Sequence, residues 1–373
     1  MRTRETACAY DRYGVHMNHL FTPLQIREVL LRNRIAVSPM CEYSSENGFA
    51  SDWHMVHLGS RAVGGAGLVF TEAAAVEPRG RISPQDLGIY EDGHVEPLRR
   101  ITGFIAEHGA APGIQLAHAA RKASTAAPWL GGRPLSEEQG GWRGLAAPSA
   151  LPFDAAYQTP DPLDEAGIRA IVSAFGRAAE RAVEAGFKVV EIHAAHGYLL
   201  HEFLSPLSNR RADAYGGSFE NRVRLLEEVA AEIRRRIPQG LPLFVRISAT
   251  DWTEGGWTID DSVALAERLG PLGVDLIDCS SGGNVPRAEI PIGPGYQTEF
   301  AARIRREACV LTGAVGMITA PQQADHIVRS GQADLFLLAR ALLRDPYWPQ
   351  QAALELKQPI PTPPQYERAW PRG

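Results

Sequence analysis

Residues 188–198 read KVVEIHAAHGY. Val189, Val190 and Ile192 make a short apolar run, and behind it two histidines and a tyrosine fall within the six residues 193–198. A short run rich in β-branched residues reads as a buried strand over 188–193. Polar side chains crowded at its end cost stability unless the protein uses them. On either side lie longer segments with helical spacing, 163–185 before and 218–237 after. In the second, Leu225, Leu226, Val229, Ala230 and Ile233 form one apolar stripe. Helix, strand, helix is the unit from which parallel sheets are built.

The unit recurs. Strand-like runs stand at 34–40, 67–73, 113–117, 188–193, 243–248, 276–280, 309–313 and 334–339, with helical stretches such as 259–269 between most of them. Eight such runs predict an α/β fold, a (β/α)₈ TIM barrel. A doubly wound sheet would carry a glycine-rich turn leading out of its first strand. Gly64-Gly65-Ala66-Gly67 leads into a strand instead. The stretch 124–162, rich in Pro, Gly and Trp, interrupts the barrel after the third strand and is read as a cap over its mouth, with a plain surface excursion as the alternative on these grounds alone. Residues 1–16 show neither period and read as an extension of doubtful structure, which leaves 17–373 as one domain.

The 373 residues are 45% hydrophobic and 22% charged, enough for a large core, and the net charge of −5 is spread along the chain. That argues against a nucleic-acid or anionic-membrane surface. The run Arg234-Arg235-Arg236 closes a helix, where cations suit the terminus. Cys8, Cys41, Cys279 and Cys309 are scattered without a CxxC pair, which gives no zinc or iron–sulfur signature and suits a reducing cytoplasm. No apolar stretch approaches a membrane span, and the N-terminus lacks the apolar core of a signal peptide.

Barrel enzymes place their chemistry at the C-terminal strand ends. Those ends hold Ser38-Pro39-Met40-Cys41, Glu72-Ala73, Gln115, His193 with His196, Arg246, Gly313-Ala314-Val315-Gly316 and Ala339-Arg340. No Gly-x-Ser-x-Gly elbow and no recurring carboxylate pair is among them, so hydrolysis is not indicated. His193 and His196 converge only if the chain turns at Ala194-Ala195. Converged, they are a metal half-site, a structural pair or two donors for one oxygen. Asp251 and His118 are conceivable third ligands, though no metal spacing appears. TGAVGMIT (312–319) and LFLLAR (335–340) lie where many barrels hold a phosphate, with Gly316 allowing close backbone approach and Arg340 able to fork onto oxygens. A phosphate handle beside Arg, Gln, Cys and paired His fits non-covalent FMN.

Six stretches carry a specific likeness: NRIAVSPMCEYS (33–44), DWHMVHLGSRAVGGAGL (52–68), IQLAHAARKAS (114–124), EIHAAHGYLLHEFLSPLSNRRADAYGGSFENRVR (191–224), the phosphate-site pair and QYERAW (365–370). From about His19 onward the chain resembles the old yellow enzyme family of FMN-dependent ene-reductases, and in it the bacterial subgroup with a cysteine beside the flavin. The resemblance implies that Ser38, Pro39, Met40, Cys41, Ala73, Gln115, Arg246, Gly316, Ala339 and Arg340 contact FMN. Arg246 would lie near flavin N1, and Cys41 would be a weak donor that tunes the potential; an inert buried thiol is the alternative from chemistry alone. Tyr43 is implied in the substrate pocket. The same likeness implies a reaction: NAD(P)H reduces FMN, whose N5 passes hydride to the β-carbon of an α,β-unsaturated carbonyl or nitroalkene. His193 and His196 would hold the substrate oxygen, and Tyr198 would protonate the α-carbon. No metal is implied, and NADPH and NADH remain equal candidates for reductant.

Two positions depart from the family pattern. Ala339 replaces the glycine before Arg340, and HAARK has Ala120 where HAGRK is usual; both one-methyl changes are expected to be tolerated. In the tail PPQYERAWPRG (363–373), the prolines predict an extended segment with Tyr366, Arg368 and Trp370 projecting to one side. The resemblance implies that Arg368 enters a neighbouring subunit's active site, in a homodimer or a larger homo-oligomer.

Overall fold

The computed structural model describes residues 19–369. Eight parallel strands close into a barrel: β1 (Ile35–Val37), β2 (Leu68–Ala75), β3 (Ala111–Ala117), β4 (Val189–Ala194), β5 (Leu243–Ser248), β6 (Leu276–Ser280), β7 (Leu311–Ala314) and β8 (Leu335–Leu338). Closure is made by β8 against β1, with Phe336 opposite Ile35 and Leu338 opposite Val37. The helices α1 (Asp52–Val63), α2 (Val95–Glu107), α3 (Glu165–Glu184), α4 (Leu199–Leu204), α5 (Phe219–Arg236), α6 (Ile259–Leu269), α7 (Thr298–Ala308), α8 (Pro321–Arg329), α9 (Arg340–Arg344) and α10 (Trp348–Glu355) follow the strands. Among the described residues no helix is long and apolar enough to cross a membrane.

Strand side chains alternate between two cores. Val190, Ile192, Val245, Ile247, Ile277 and Cys279 face outward into the layer shared with the helices. Val189, Phe244, Leu276, Leu311 and Leu335 face inward at the strand starts. There the antiparallel hairpin of Leu24–Ile26 and Val29–Leu31 packs Leu24, Ile26 and Leu31 against them and closes that end. Inward positions two and four residues further along β4, β5 and β6 are polar: Glu191, Arg246 and Asp278, then His193, Ser248 and Ser280. The barrel is therefore apolar at its floor and becomes polar toward its mouth.

The segment 124–162 does follow the third strand. It contains short 3₁₀ turns (Pro128–Leu130, Glu137–Gln139) and two paired two-residue strands (Ala146–Ala147, Asp161–Pro162). Ala119, Ala123 and Leu145 make a small buried cluster on which Ile82, Trp142 and Tyr198 pack. The C-terminal expectation was wrong: Pro364–Ala369 is a 3₁₀ helix, not an extended chain. Proline disfavours helix in the residue before it but is preorganised for the first helical position, and Pro364 starts the turn. Tyr366 N donates to Pro363 O at 2.9 Å, and the Tyr366 ring packs edge-on against Tyr347. With about three residues per turn, Tyr366 and Arg368 leave this segment on different sides. Trp370, Cys8 and residues 1–16 lie outside the described residues.

Candidate active site

The chain turns sharply after β4. His196 has φ 60° and Gly197 φ 73°. A Cβ on Gly197 would come within 2.3 Å of Gly283 O, so glycine is required there both for its dihedral and for the close approach. The turn brings the rings of His193 and His196 to a centroid separation of 5.2 Å, and those of His193 and Tyr198 to 5.0 Å, each pair nearly perpendicular. Burial, then the Arg246 cation, pushes both imidazoles well below their usual pKa, so both are neutral. His193 Nδ1 accepts from Ala195 N (3.3 Å), which leaves the proton on Nε2 as a donor. His196 Nε2 lies 2.7 Å from Ser280 Oγ. Burial raises Tyr198 well above the usual phenol range, so its proton stays on at neutral pH. His118 and Asp251, the two conceivable third ligands, are engaged elsewhere: His118 Nε2 with Glu77 at 2.8 Å, Asp251 with His201 at 3.0 Å.

Residues that the strand-end reading passed over hold this turn. Gly197 N donates to His201 Nδ1 (2.9 Å), whose Nε2 faces Asp251 Oδ1 at 3.0 Å. Asp251 also accepts from Ser205 Oγ (2.5 Å) and Trp257 N (2.9 Å). Although burial works against it, His201 keeps the Asp251 carboxyl below the usual range, so the dyad is ionised on the aspartate side. His196 N donates to Ser248 Oγ (2.9 Å), and Lys122 Nζ donates to His196 O (2.8 Å) and Gly283 O (3.1 Å). Ala120, two residues before Lys122, has φ 53°. The substitution expected to be tolerated sits in the left-handed region, where a Cβ costs about 1–2 kcal/mol.

Beneath the histidines lies a buried polar layer. Gln115 Nε2 donates to Glu191 Oε1 at 2.8 Å, and Arg246 Nη1 donates to Ser38 Oγ at 3.0 Å. Arg246 Nε stands 3.2 Å from Asp278 Oδ2 but makes no hydrogen bond among the described residues. Burial, then the Asp278 charge, pushes Glu191 up to about 8; burial pushes Asp278 up to about 6. Glu191 and Asp278 were also missed, although a carboxylate inside KVVEIH and another inside LIDCS are signals of a used interior.

A cavity of about 290 Å³ opens from this layer toward β7 and β8, lined by Ser38, Arg246, Ser280, Gly316, Arg340 and Arg344 among others. Gly316 has φ 109°, and a Cβ there would meet Gln297 Nε2 at 2.8 Å. The donor set suits FMN. Two guanidinium groups and glycine backbone at one end fit a phosphate, and Arg246 and Gln115 at the other fit the polar edge of a ring. Ala73 lies opposite Gln115 in the sheet. The Cys41 thiol lies by the Ala73 backbone and the Tyr43 hydroxyl; burial raises its pKa well above the usual value, so it is a protonated thiol. Pro39, Met40 and Tyr43 are half-buried on the segment after β1, and Ala339 caps α9. Tyr43 also meets Trp129 of the 124–162 segment edge-on at 5.5 Å. Arg368 is exposed on its 3₁₀ turn and stays outside the cluster.

Residues 19–358 match the NADH:flavin oxidoreductase / NADH oxidase family. An NADPH dehydrogenase of Geobacillus sp. (strain WCH70) is 52% identical over 353 residues, covering 94% of this chain and 98% of its own. One from Bacillus subtilis (strain 168) is 49% identical over 353 residues, covering 94% and 99%. Among solved structures, morphinone reductase superposes with a TM-score of 0.78 at 25% identity over 91% of this chain and 90% of that one. A 2-naphthoyl-CoA reductase gives a TM-score of 0.83 at 25% identity over 90% of this chain, which spans 52% of that longer protein. The chain therefore belongs to the NADH:flavin oxidoreductase family, the old yellow enzyme family, and is an FMN-dependent oxidoreductase that draws electrons from NAD(P)H.

Proposed function

We propose that this enzyme reduces the carbon–carbon double bond of electron-poor alkenes, α,β-unsaturated carbonyls and nitroalkenes. The observation that carries the reading is the convergence of neutral His193 and His196 with protonated Tyr198 beside the arginine-lined cavity. FMN, when bound, supplies the hydride relay between NAD(P)H and the alkene. Ser38, Pro39, Met40, Cys41, Ala73, Gln115, Arg246, Gly316, Ala339 and Arg340 would hold it. His193 Nε2–H is a fixed donor for the substrate's oxygen, and His196 is the second group aimed at the same place. Donors already in position stabilise negative charge that grows on that oxygen without reorganising. Tyr198 supplies the proton to the α-carbon. Cys41, kept as a neutral thiol by burial, donates weakly and tunes the cofactor. Tyr43 and Trp129 form an aromatic wall to the substrate space, with the 124–162 segment as a cap. The names of two structural neighbours, reductases of morphinone and of 2-naphthoyl-CoA, support a reductive reaction. We assign the enzyme to the cytoplasm, where Cys41 and Cys279 stay free thiols. We further read it as a homo-oligomer in which Arg368 serves a neighbour's pocket. The test is oxidation of NADPH dependent on 2-cyclohexen-1-one, with cyclohexanone formed in equal amount. NADPH oxidation without alkene consumption would overturn the reading.

A further inference from the structure

Proton delivery by Tyr198, as proposed above, faces an electrostatic obstacle. Breaking its O–H bond leaves the electron pair on the phenolate oxygen while a C–H bond forms on the substrate; water restores the proton afterwards. Yet the surroundings resist that charge. Burial raises the phenol's pKa, and Cys41, Tyr43, Asp86 and Tyr157 all act in the same direction. A phenol held so far above neutrality is a slow acid.

One cation faces the ring. Lys122 Nζ lies 5.1 Å from the Tyr198 ring centroid and 4.7 Å from that of Phe153, which comes from the 124–162 segment. Two of its three N–H donors are fixed by His196 O and Gly283 O, so the ammonium cannot swing away. A cation over an aromatic face attracts the ring's negative charge, and far more so once the ring carries a full one. We propose that Lys122 is the positioning residue that makes Tyr198 an acid: its fixed ammonium offsets the phenolate formed when the proton leaves.

The charge on Lys122 is conditional. Burial lowers its pKa to about 8, opposed by Glu202 and aided by Arg121. The charged or titratable groups around it are thus Glu202 on α4, Arg121 on its own turn, Tyr198, and the neutral His193 and His196. Glu202 is itself raised to about 8 by burial, so both groups lose a proton over the same interval: the ammonium becomes neutral as the carboxyl becomes charged. As pH rises through about 8, Lys122 loses its proton and Tyr198 loses its counter-charge.

Stopped-flow measurements on the holoenzyme separate reduction of FMN by NADPH from its reoxidation by 2-cyclohexen-1-one. In wild type the reoxidation rate should fall as pH passes about 8, while reduction by NADPH does not follow it. Lys122→Met should slow reoxidation about tenfold below that point, abolish the inflection and raise the solvent deuterium isotope effect. Lys122→Arg, which keeps the cation, should keep the rate and carry it to higher pH. A Lys122→Met enzyme with the wild-type inflection and isotope effect overturns the proposal, as does equal slowing of both half-reactions with no change in pH profile. A Tyr198→Phe enzyme as fast as wild type in reoxidation would instead overturn the reading on which it rests, and this proposal with it.

Discussion

Glu191 and Asp278 share the barrel interior with one arginine, so two carboxyls face a single cation. The Glu191 carboxyl, ordinarily near 4.5, stands near 8 in the folded chain, which keeps its proton at neutral pH. The unfolded chain releases that proton above its ordinary value. Between the two, the native state binds more protons, and stability falls as pH rises. Glu191→Gln retains an acceptor for Gln115 and cannot ionise, so its urea midpoint should fall less than that of wild type between about pH 5 and pH 8. Parallel curves would assign the dependence to other groups. Tyr198→Phe removes the phenolic hydroxyl and keeps the ring: reoxidation by an enone should drop by about 10²–10⁴-fold while reduction by NADPH is unchanged, and reoxidation at the wild-type rate would remove Tyr198 from the mechanism. The His–His–Tyr group was legible because polar residues at the end of an apolar run need a use. Glu191 and Asp278 were not, because reading strand ends passes over what points inward one layer down. Lys122 and His201 act on backbone carbonyls and amides, and no residue period records which of those a loop will offer.

Strands and helices were easier to read than side chains. The runs 243–248 and 276–280 and the helix 259–269 stand where the pattern put them, because apolar alternation and helical spacing are themselves the cause of burial. The run 34–40 shrinks to Ile35–Val37, since Pro39 lacks the N–H that a further ladder bond needs. The tail failed for the converse reason: a proline that stops one helix can begin another turn. The connection from β4 to α4 carries its own prediction. It is braced by the His201–Asp251 pair, wholly buried on both sides. In Asp251→Asn the new amide cannot present carboxylate oxygens to both the Ser205 hydroxyl and the His201 ring, and breaking a buried pair costs about 3–5 kcal/mol. Denaturation should show that loss, and phenols, which on the proposed reading would place an oxygen between His193 and His196, should bind more weakly. A stability loss with unchanged phenol affinity would limit the brace to folding.

At the scale of the molecule, exposed Trp53 and Val56 on α1, with Tyr366 on the final turn, are apolar side chains left uncovered by the single chain. Light scattering should give a mass of at least twice 40.6 kDa, and removal of residues 364–373 should slow enone turnover. A mass of one chain, or unchanged kinetics, would remove Arg368 from the pocket. The closure of β8 on β1 sets a constraint of another kind, one of time. Arg34 Nη1 donates to Asp334 O across 300 residues of sequence, and Ile35 meets Phe336 beside it. At about 5–20 residues per second of synthesis that separation is about 15–60 s of translation. Throughout that interval the first strand emerges from the ribosome with a bare edge, able to pair with any passing strand. The nascent chain's exposure ends only when its last strand is made, and a ribosome that stalls before Leu338 releases an open sheet rather than a weakened enzyme.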